Sequence, residues 1–221
     1  MREYQTIWMD LDGTLVDSQQ GIVRGVQLAL EHFGLQEENL QALRRFIGPP
    51  LLDSFQEYYD LSPVQAQQAV ECYRAYYRQE GIFLNTLYSG VEDFLREMSA
   101  LGKPLYVASS KPEEMVKIIL NQHGIAHYFD GIYGASLDQS RTSKVQVLTY
   151  GLSRQPHIDR EKAVMVGDRK YDVLGAAQVR MDCIGVLYGF GDVQELEEAG
   201  AVAVVSSLPE LGQLLSGKDF V

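Results

Sequence analysis

The chain has 221 residues, 46% hydrophobic and 22% charged, enough for one large domain or a compact domain carrying an insert. Thirty acidic residues against nineteen basic ones give a formal charge of −11, which repels nucleic-acid phosphates and anionic membrane surfaces. A small ligand is therefore expected, and an anionic one would need local cations, a metal among them, to reverse the field. No stretch approaches the roughly 20 apolar residues of a membrane span. The N-terminal Met1-Arg2-Glu3-Tyr4-Gln5 lacks the pattern of a secretory signal, so a cytoplasmic location is expected. Cys72 and Cys183 stand far apart and suggest neither a disulfide framework nor a thiolate zinc site.

Residues 6–11 form an apolar run ending in Asp-Leu-Asp-Gly-Thr, which reads as a buried strand stopped by a glycine turn. From Ser18 to about Phe83 the spacing is helical, with Ile22, Val26, Leu30 and Phe33 in register and breaks at Gly34 and Gly48-Pro49-Pro50. Residues 51–81 are rich in Gln and Tyr and show no strand. After Gly90 the pattern alternates: a helix over 91–100, a strand over 104–109, a helix over 113–123, then strands over 131–133, 163–166, 183–186 and 203–205. Strands separated by helices of about 10–15 residues predict an α/β fold with a doubly wound parallel sheet. Residues 1–15 and 86–221 should form this core, and residues 16–85 an inserted all-helical domain.

Asp10-Leu11-Asp12-Gly13-Thr14 places two carboxylates at i and i+2, on one face of a strand. Converging there, they would repel without a cation, and hard oxygen ligands favour Mg²⁺. An isolated Asp-Gly would be no more than a turn. With the motifs downstream, the string resembles the DxDGT motif of the haloacid dehalogenase superfamily of phosphohydrolases, and the resemblance covers almost the whole chain. It implies a nucleophile, Asp10, that forms an aspartyl-phosphate, and a general acid and base, Asp12. It also implies Mg²⁺ bound by the Asp10 side chain and the Asp12 backbone carbonyl, with Gly13 and Thr14 beside the substrate. A halide leaving group needs no proton whereas an alkoxide does, so Asp12 favours phosphatase over dehalogenase chemistry.

The other motifs follow in the family's order. In Tyr106-Val107-Ala108-Ser109-Ser110-Lys111-Pro112, Ser109 matches a hydroxyl that donates to a phosphate oxygen, and Ser110 is expected next to the substrate. A lysine should neutralise the phosphoryl oxygens and the nucleophile. Lys144 and Lys111 are the candidates. Lys144 is preferred because the family places this lysine at the start of a later helix, whereas Lys111 is expected near the beginning of the preceding one. Gly167-Asp168-Arg169-Lys170-Tyr171-Asp172 matches GDxxxD, which implies Asp168 as a direct metal ligand and Asp172 acting through bound water and hydrogen bonds. Arg169 and Lys170 depart from the small polar residue common at that point.

In this family an insert in the place of residues 16–85 is a cap that closes over the site. Arg44-Arg45-Phe46-Ile47-Gly48-Pro49-Pro50 resembles a loop that phosphoglycolate phosphatase-like relatives direct at the substrate, which makes Arg45 and Gly48 candidate contacts. The same arginines would equally suit a helix C-terminus. Tyr58, Tyr59, Tyr73, Tyr76 and Tyr77 fit amphipathic packing better than a nucleotide site, and the four histidines have no metal-ligand spacing. The expectation is a Mg²⁺-dependent phosphatase acting on a small monoester such as phosphoglycolate, a sugar phosphate or a nucleotide. A phosphosugar mutase, or a phospho-accepting signalling or protein-binding module, is the alternative. The motifs encode neither the leaving alcohol nor the oligomeric state.

Overall fold

The run Thr6-Ile7-Trp8-Met9 is buried throughout because it forms strand β1 (Thr6–Met9), with a parallel neighbour on each side. In this computed structural model, residues 3–138 and 140–217 are described. The chain divides into two compact units, Met1–Val16 with Leu87–Val221, and Asp17–Thr86. The crossings between them are the short strands β2 (Val16–Asp17) and β3 (Thr86–Leu87), which pair with each other.

The second unit is helical: α1 (Gln19–Glu31), α2 (Leu40–Leu43), α3 (Leu51–Tyr59) and α4 (Pro63–Gln79). Helix α4 starts at a capping box, in which Ser62 and Gln65 satisfy each other's free N–H groups, with Pro63 at the first helical position. Helix α1 packs closely enough that a Cβ on Gly25 would lie 2.8 Å from the Tyr73 ring. Tyr73 and Tyr77 are buried and stack on each other at 5.3 Å, the packing role expected of them.

The first unit continues through α5 (Val91–Ala100), β4 (Leu105–Pro112), α6 (Glu113–Gln122), β5 (Gly131–Ala135), α7 (Lys144–Arg154), β6 (Ala163–Gly167), α8 (Lys170–Gln178), β7 (Asp182–Val186), α9 (Val193–Glu198), β8 (Ala203–Val205) and α10 (Leu208–Ser216). Six strands form one parallel sheet in the order β5-β4-β1-β6-β7-β8, the doubly wound arrangement expected. On one face, Trp8 stacks on Tyr106 at 4.6 Å and Tyr133 at 5.6 Å, under Val147, Leu148 and Leu152 of α7 and Val173 and Ala176 of α8. From β1 the chain builds first to one side and later to the other, so a crevice opens at the carboxyl ends of β1, β4 and β6.

Two boundaries differ from expectation at that crevice. Strand β1 ends at Met9 rather than Leu11, because the Leu11 carbonyl accepts the N–H groups of Thr14, Leu15 and Val16 and closes a turn. Strand β4 runs on to Pro112 past a register shift between Ala108 and Pro112. Lys111 consequently lies at a strand end, and the helix begins only at Glu113.

Candidate active site

Asp10 is the first residue beyond β1, and its N–H still donates to the Val166 carbonyl at 2.9 Å. Lys144, the first residue of α7, extends its ammonium to Asp10 Oδ1 at 2.9 Å, Asp172 Oδ1 at 2.7 Å and the Ala108 carbonyl at 2.7 Å. The two carboxylate contacts are ion pairs, and the contact to the carbonyl is a hydrogen bond. A Cβ on Gly175 would fall 2.7 Å from Lys144 Cγ, so a glycine in α8 makes room for the lysine stem.

Asp168 is fully buried; its Oδ2 accepts the Phe190 N–H at 2.8 Å, and Thr14 Oγ1 lies 3.5 Å from its Oδ1. Asp172, in the first turn of α8, accepts the Arg169 N–H at 3.1 Å through Oδ2. One oxygen each from Asp10, Asp168 and Asp172 lie within 4.8 Å of one another. Burial, with the negative charges of Asp172 and Asp12, pushes the Asp10 carboxyl up to about 6 against the pull of Lys144. Burial and the charges of Asp172 and Asp10 hold Asp168 well above the usual carboxylate range, although the Phe190 N–H opposes them. Burial disfavours the Lys144 ammonium, but Asp10 and Asp172 outweigh it and raise its pKa. A single ammonium beside three crowded carboxylates leaves an excess of negative charge. An all-oxygen donor set of this kind fits a hard divalent cation.

The Asp12 carboxylate lies outside that trio. Both its oxygens accept from Lys111 Nζ, at 2.9 and 2.8 Å, with the Lys111 side chain 6% and the Asp12 side chain 14% exposed. Asp12 sits in the turn beyond the end of β1, so strand alternation does not set its direction. Both candidate lysines are present, Lys144 on Asp10 and Lys111 on Asp12. Ser109 is buried and its Oγ accepts the Lys111 N–H at 3.3 Å, while Ser110 is half-buried at the end of β4. Gly13 has φ +82°, and a Cβ there would lie 2.1 Å from Asp168 Oδ2, so the turn requires glycine on both counts.

Arg169 and Lys170 have a local explanation. The Arg169 Nε and the Lys170 N–H both donate to Glu195 Oε1, at 2.9 and 2.8 Å, which ties the start of α8 to α9. Arg45 and Gly48 belong to the helical unit, where the Arg45 guanidinium lies 4.1 Å from the Tyr58 ring centroid and Gly48 takes φ +105°. Sequence reasoning passed over the segment Leu187-Tyr188-Gly189-Phe190-Gly191, which follows β7 and embraces Asp168. Its signal was two glycines one residue apart directly after a buried strand.

A family model described as haloacid dehalogenase-like hydrolase matches residues 7–186. The chain belongs to that family, and it is a hydrolase of phosphate monoesters. A protein of Pseudomonas aeruginosa named 5′-nucleotidase is 38% identical over 96% of each chain. The tyrosine-protein kinase PtkA of Mycobacterium tuberculosis is 36% identical over 96% of this chain and 72% of its own. The crystal structure of a predicted phosphatase from Clostridium acetobutylicum superposes with a TM-score of 0.93 at 41% identity, covering 98% of this chain and all of that one.

Proposed function

We propose that this enzyme is a Mg²⁺-dependent phosphatase of a small phosphate monoester that works through an aspartyl-phosphate on Asp10. The observation that carries the reading is the Asp10 carboxylate at a strand end, 2.9 Å from a buried ammonium and grouped with Asp168 and Asp172. Asp10 and Asp168 would hold the metal by their side chains and Asp12 by its carbonyl, with Asp172 acting through water. Bound there, Mg²⁺ supplies positive charge that offsets the repulsion between the phosphoryl group and the carboxylates.

The other steps belong to the chain's own groups. Asp10 attacks phosphorus, and Lys144 offsets the charge on the nucleophile and the transferring oxygens. Ser109, Ser110 and the Gly13-Thr14 turn donate hydrogen bonds to the phosphoryl oxygens. Asp12, entering the cycle protonated, gives its proton to the departing alkoxide and regains one from the water that attacks the phosphoenzyme. In this reading residues 1–15 and 86–221 are the catalytic core, and residues 16–85 are a cap that carries the candidate substrate contacts Arg45 and Gly48. A nucleoside 5′-monophosphate is the first class to screen, on the similarity to the Pseudomonas protein. A cytoplasmic setting is part of the proposal and accords with two free cysteines.

The direct assay is phosphate release from an aryl phosphate with Mg²⁺ and with excess chelator. Chelation is expected to lower turnover on the order of 100-fold or more, because the acidic trio then repels the substrate. Equal rates in the two conditions would contradict the metal site. Measuring free phosphate also separates hydrolysis from transfer to a second sugar hydroxyl.

A further inference from the structure

We infer that Tyr188 is a positioning residue for Asp168, tying the glycine-rich segment after β7 to the Gly13-Thr14 turn so that the carboxylate is held ready for the cation. The inference rests on Asp168 being a metal ligand, as proposed above. Asp168 occupies a slot with glycine on both sides. A Cβ on Gly13 would lie 2.1 Å from Asp168 Oδ2, and one on Gly189 would lie 2.4 Å from Asp168 Cβ and 2.6 Å from Oδ2. A Cβ on Gly191 would lie 2.0 Å from the Asp168 carbonyl oxygen. The walls of the slot are thus backbone, and the carboxylate's direction depends on how far apart they stand.

That spacing is set across the slot. The Tyr188 hydroxyl donates to the Thr14 carbonyl at 3.1 Å, joining one wall to the other over 174 residues of sequence. On the same wall the Phe190 N–H donates to Asp168 Oδ2 at 2.8 Å, so a shift of the segment would turn the carboxylate with it. The Tyr188 ring leans on Tyr88 at 4.9 Å between centroids, and the Tyr88 N–H donates to the Leu15 carbonyl at 3.1 Å. Two tyrosines in tilted ring contact therefore hold two consecutive carbonyls of the turn that carries Gly13, Tyr188 by its hydroxyl and Tyr88 by its backbone N–H. Groups that orient a metal ligand from outside typically change metal affinity by about 10- to 100-fold when lost.

The test is titration calorimetry with Mg²⁺ alone on the wild-type chain, Tyr188→Phe and Asp168→Asn, together with metal-free melting curves. Tyr188→Phe keeps the ring on Tyr88 and removes only the hydroxyl. Its Mg²⁺ Kd is expected to rise about tenfold, with little change in the metal-free Tm, and its activity deficit should shrink as Mg²⁺ is raised. A purely structural role would instead lower the metal-free Tm and leave the Kd alone. An unchanged Kd in Tyr188→Phe overturns the inference. If that variant does not fold, Tyr88→Leu, which removes the brace and keeps the hydroxyl, is expected to raise the Kd severalfold, and an unchanged value overturns the inference in the same way. Asp168→Asn with wild-type Mg²⁺ affinity would instead overturn the metal-site reading itself, with Tyr188 intact.

Discussion

Asp10→Asn is expected to lower kcat on every phosphate ester by at least about 10⁴-fold, as removal of a covalent nucleophile does, while the metal-free protein stays folded and no less stable. The amide has nearly the carboxylate's shape and keeps an oxygen for Lys144, which now lies 2.9 Å from Asp10 Oδ1. It cannot form an acyl phosphate. It also removes one of three negative charges crowded within 4.8 Å, the repulsion that helps hold Asp10 and Asp168 above the ordinary carboxylate range. Activity and stability should therefore part company at this position, as they do where a site is strained for function. Turnover with Mg²⁺ and metal-free melting curves check both halves. Wild-type turnover would remove Asp10 from the chemistry, and a large loss of metal-free stability would show that the carboxylate is held without strain.

Lys144→Met should do the opposite, losing activity and stability together. Its ammonium is the ion-pair partner of both Asp10 and Asp172, and methionine fills much of the same volume without the charge. Removing one member of a buried ionic group leaves the others without compensation, at about 3–5 kcal/mol. Urea denaturation without metal measures this directly. Mg²⁺ should recover part of the loss, since a cation bound only by the folded state stabilises it, and adding Asp172→Asn should recover more, the two sites being coupled. A loss no larger than the roughly 1 kcal/mol of an exposed ion pair would show that Lys144 does not carry the electrostatics of the site.

Much of this molecule was legible in its sequence for definite physical reasons. Parallel strands covered on both faces read as unbroken apolar runs, which is why Ala163-Val164-Met165-Val166 could be placed from composition alone. Chemistry at strand ends made Asp10, Ser109 and Asp168 stand out, since polar residues that directly follow such runs must serve something other than the core. What stayed hidden is pairing across long stretches of chain. Lys111 and Asp12 are 99 residues apart, and nothing local announces that one holds the other. The same holds for Tyr188 and Thr14, and for the glycines whose missing Cβ atoms admit Asp168. Strand alternation does not set the place of Asp12, because three N–H groups converge on the Leu11 carbonyl and the strand ends at Met9.

Arg45 shows the limit from the other side. Its place between a short helix and Gly48-Pro49-Pro50 suited either a substrate contact or a helix end, and its stacking on Tyr58 satisfies it within the helical unit. Its reach toward substrate is a separate question, which the KM of Arg45→Ala answers.

Asp10 is expected to carry the phosphoryl group during turnover. The measurement that bears on it most directly is mass spectrometry of the peptide containing Asp10 after acid quenching during turnover of an aryl phosphate with Mg²⁺. A hydroxylamine-labile phosphoryl adduct is expected on Asp10, absent from Asp10→Asn and from chelator-treated enzyme. Steady turnover in which the phosphoryl group is trapped on another residue, or undiminished turnover by Asp10→Asn, would contradict it.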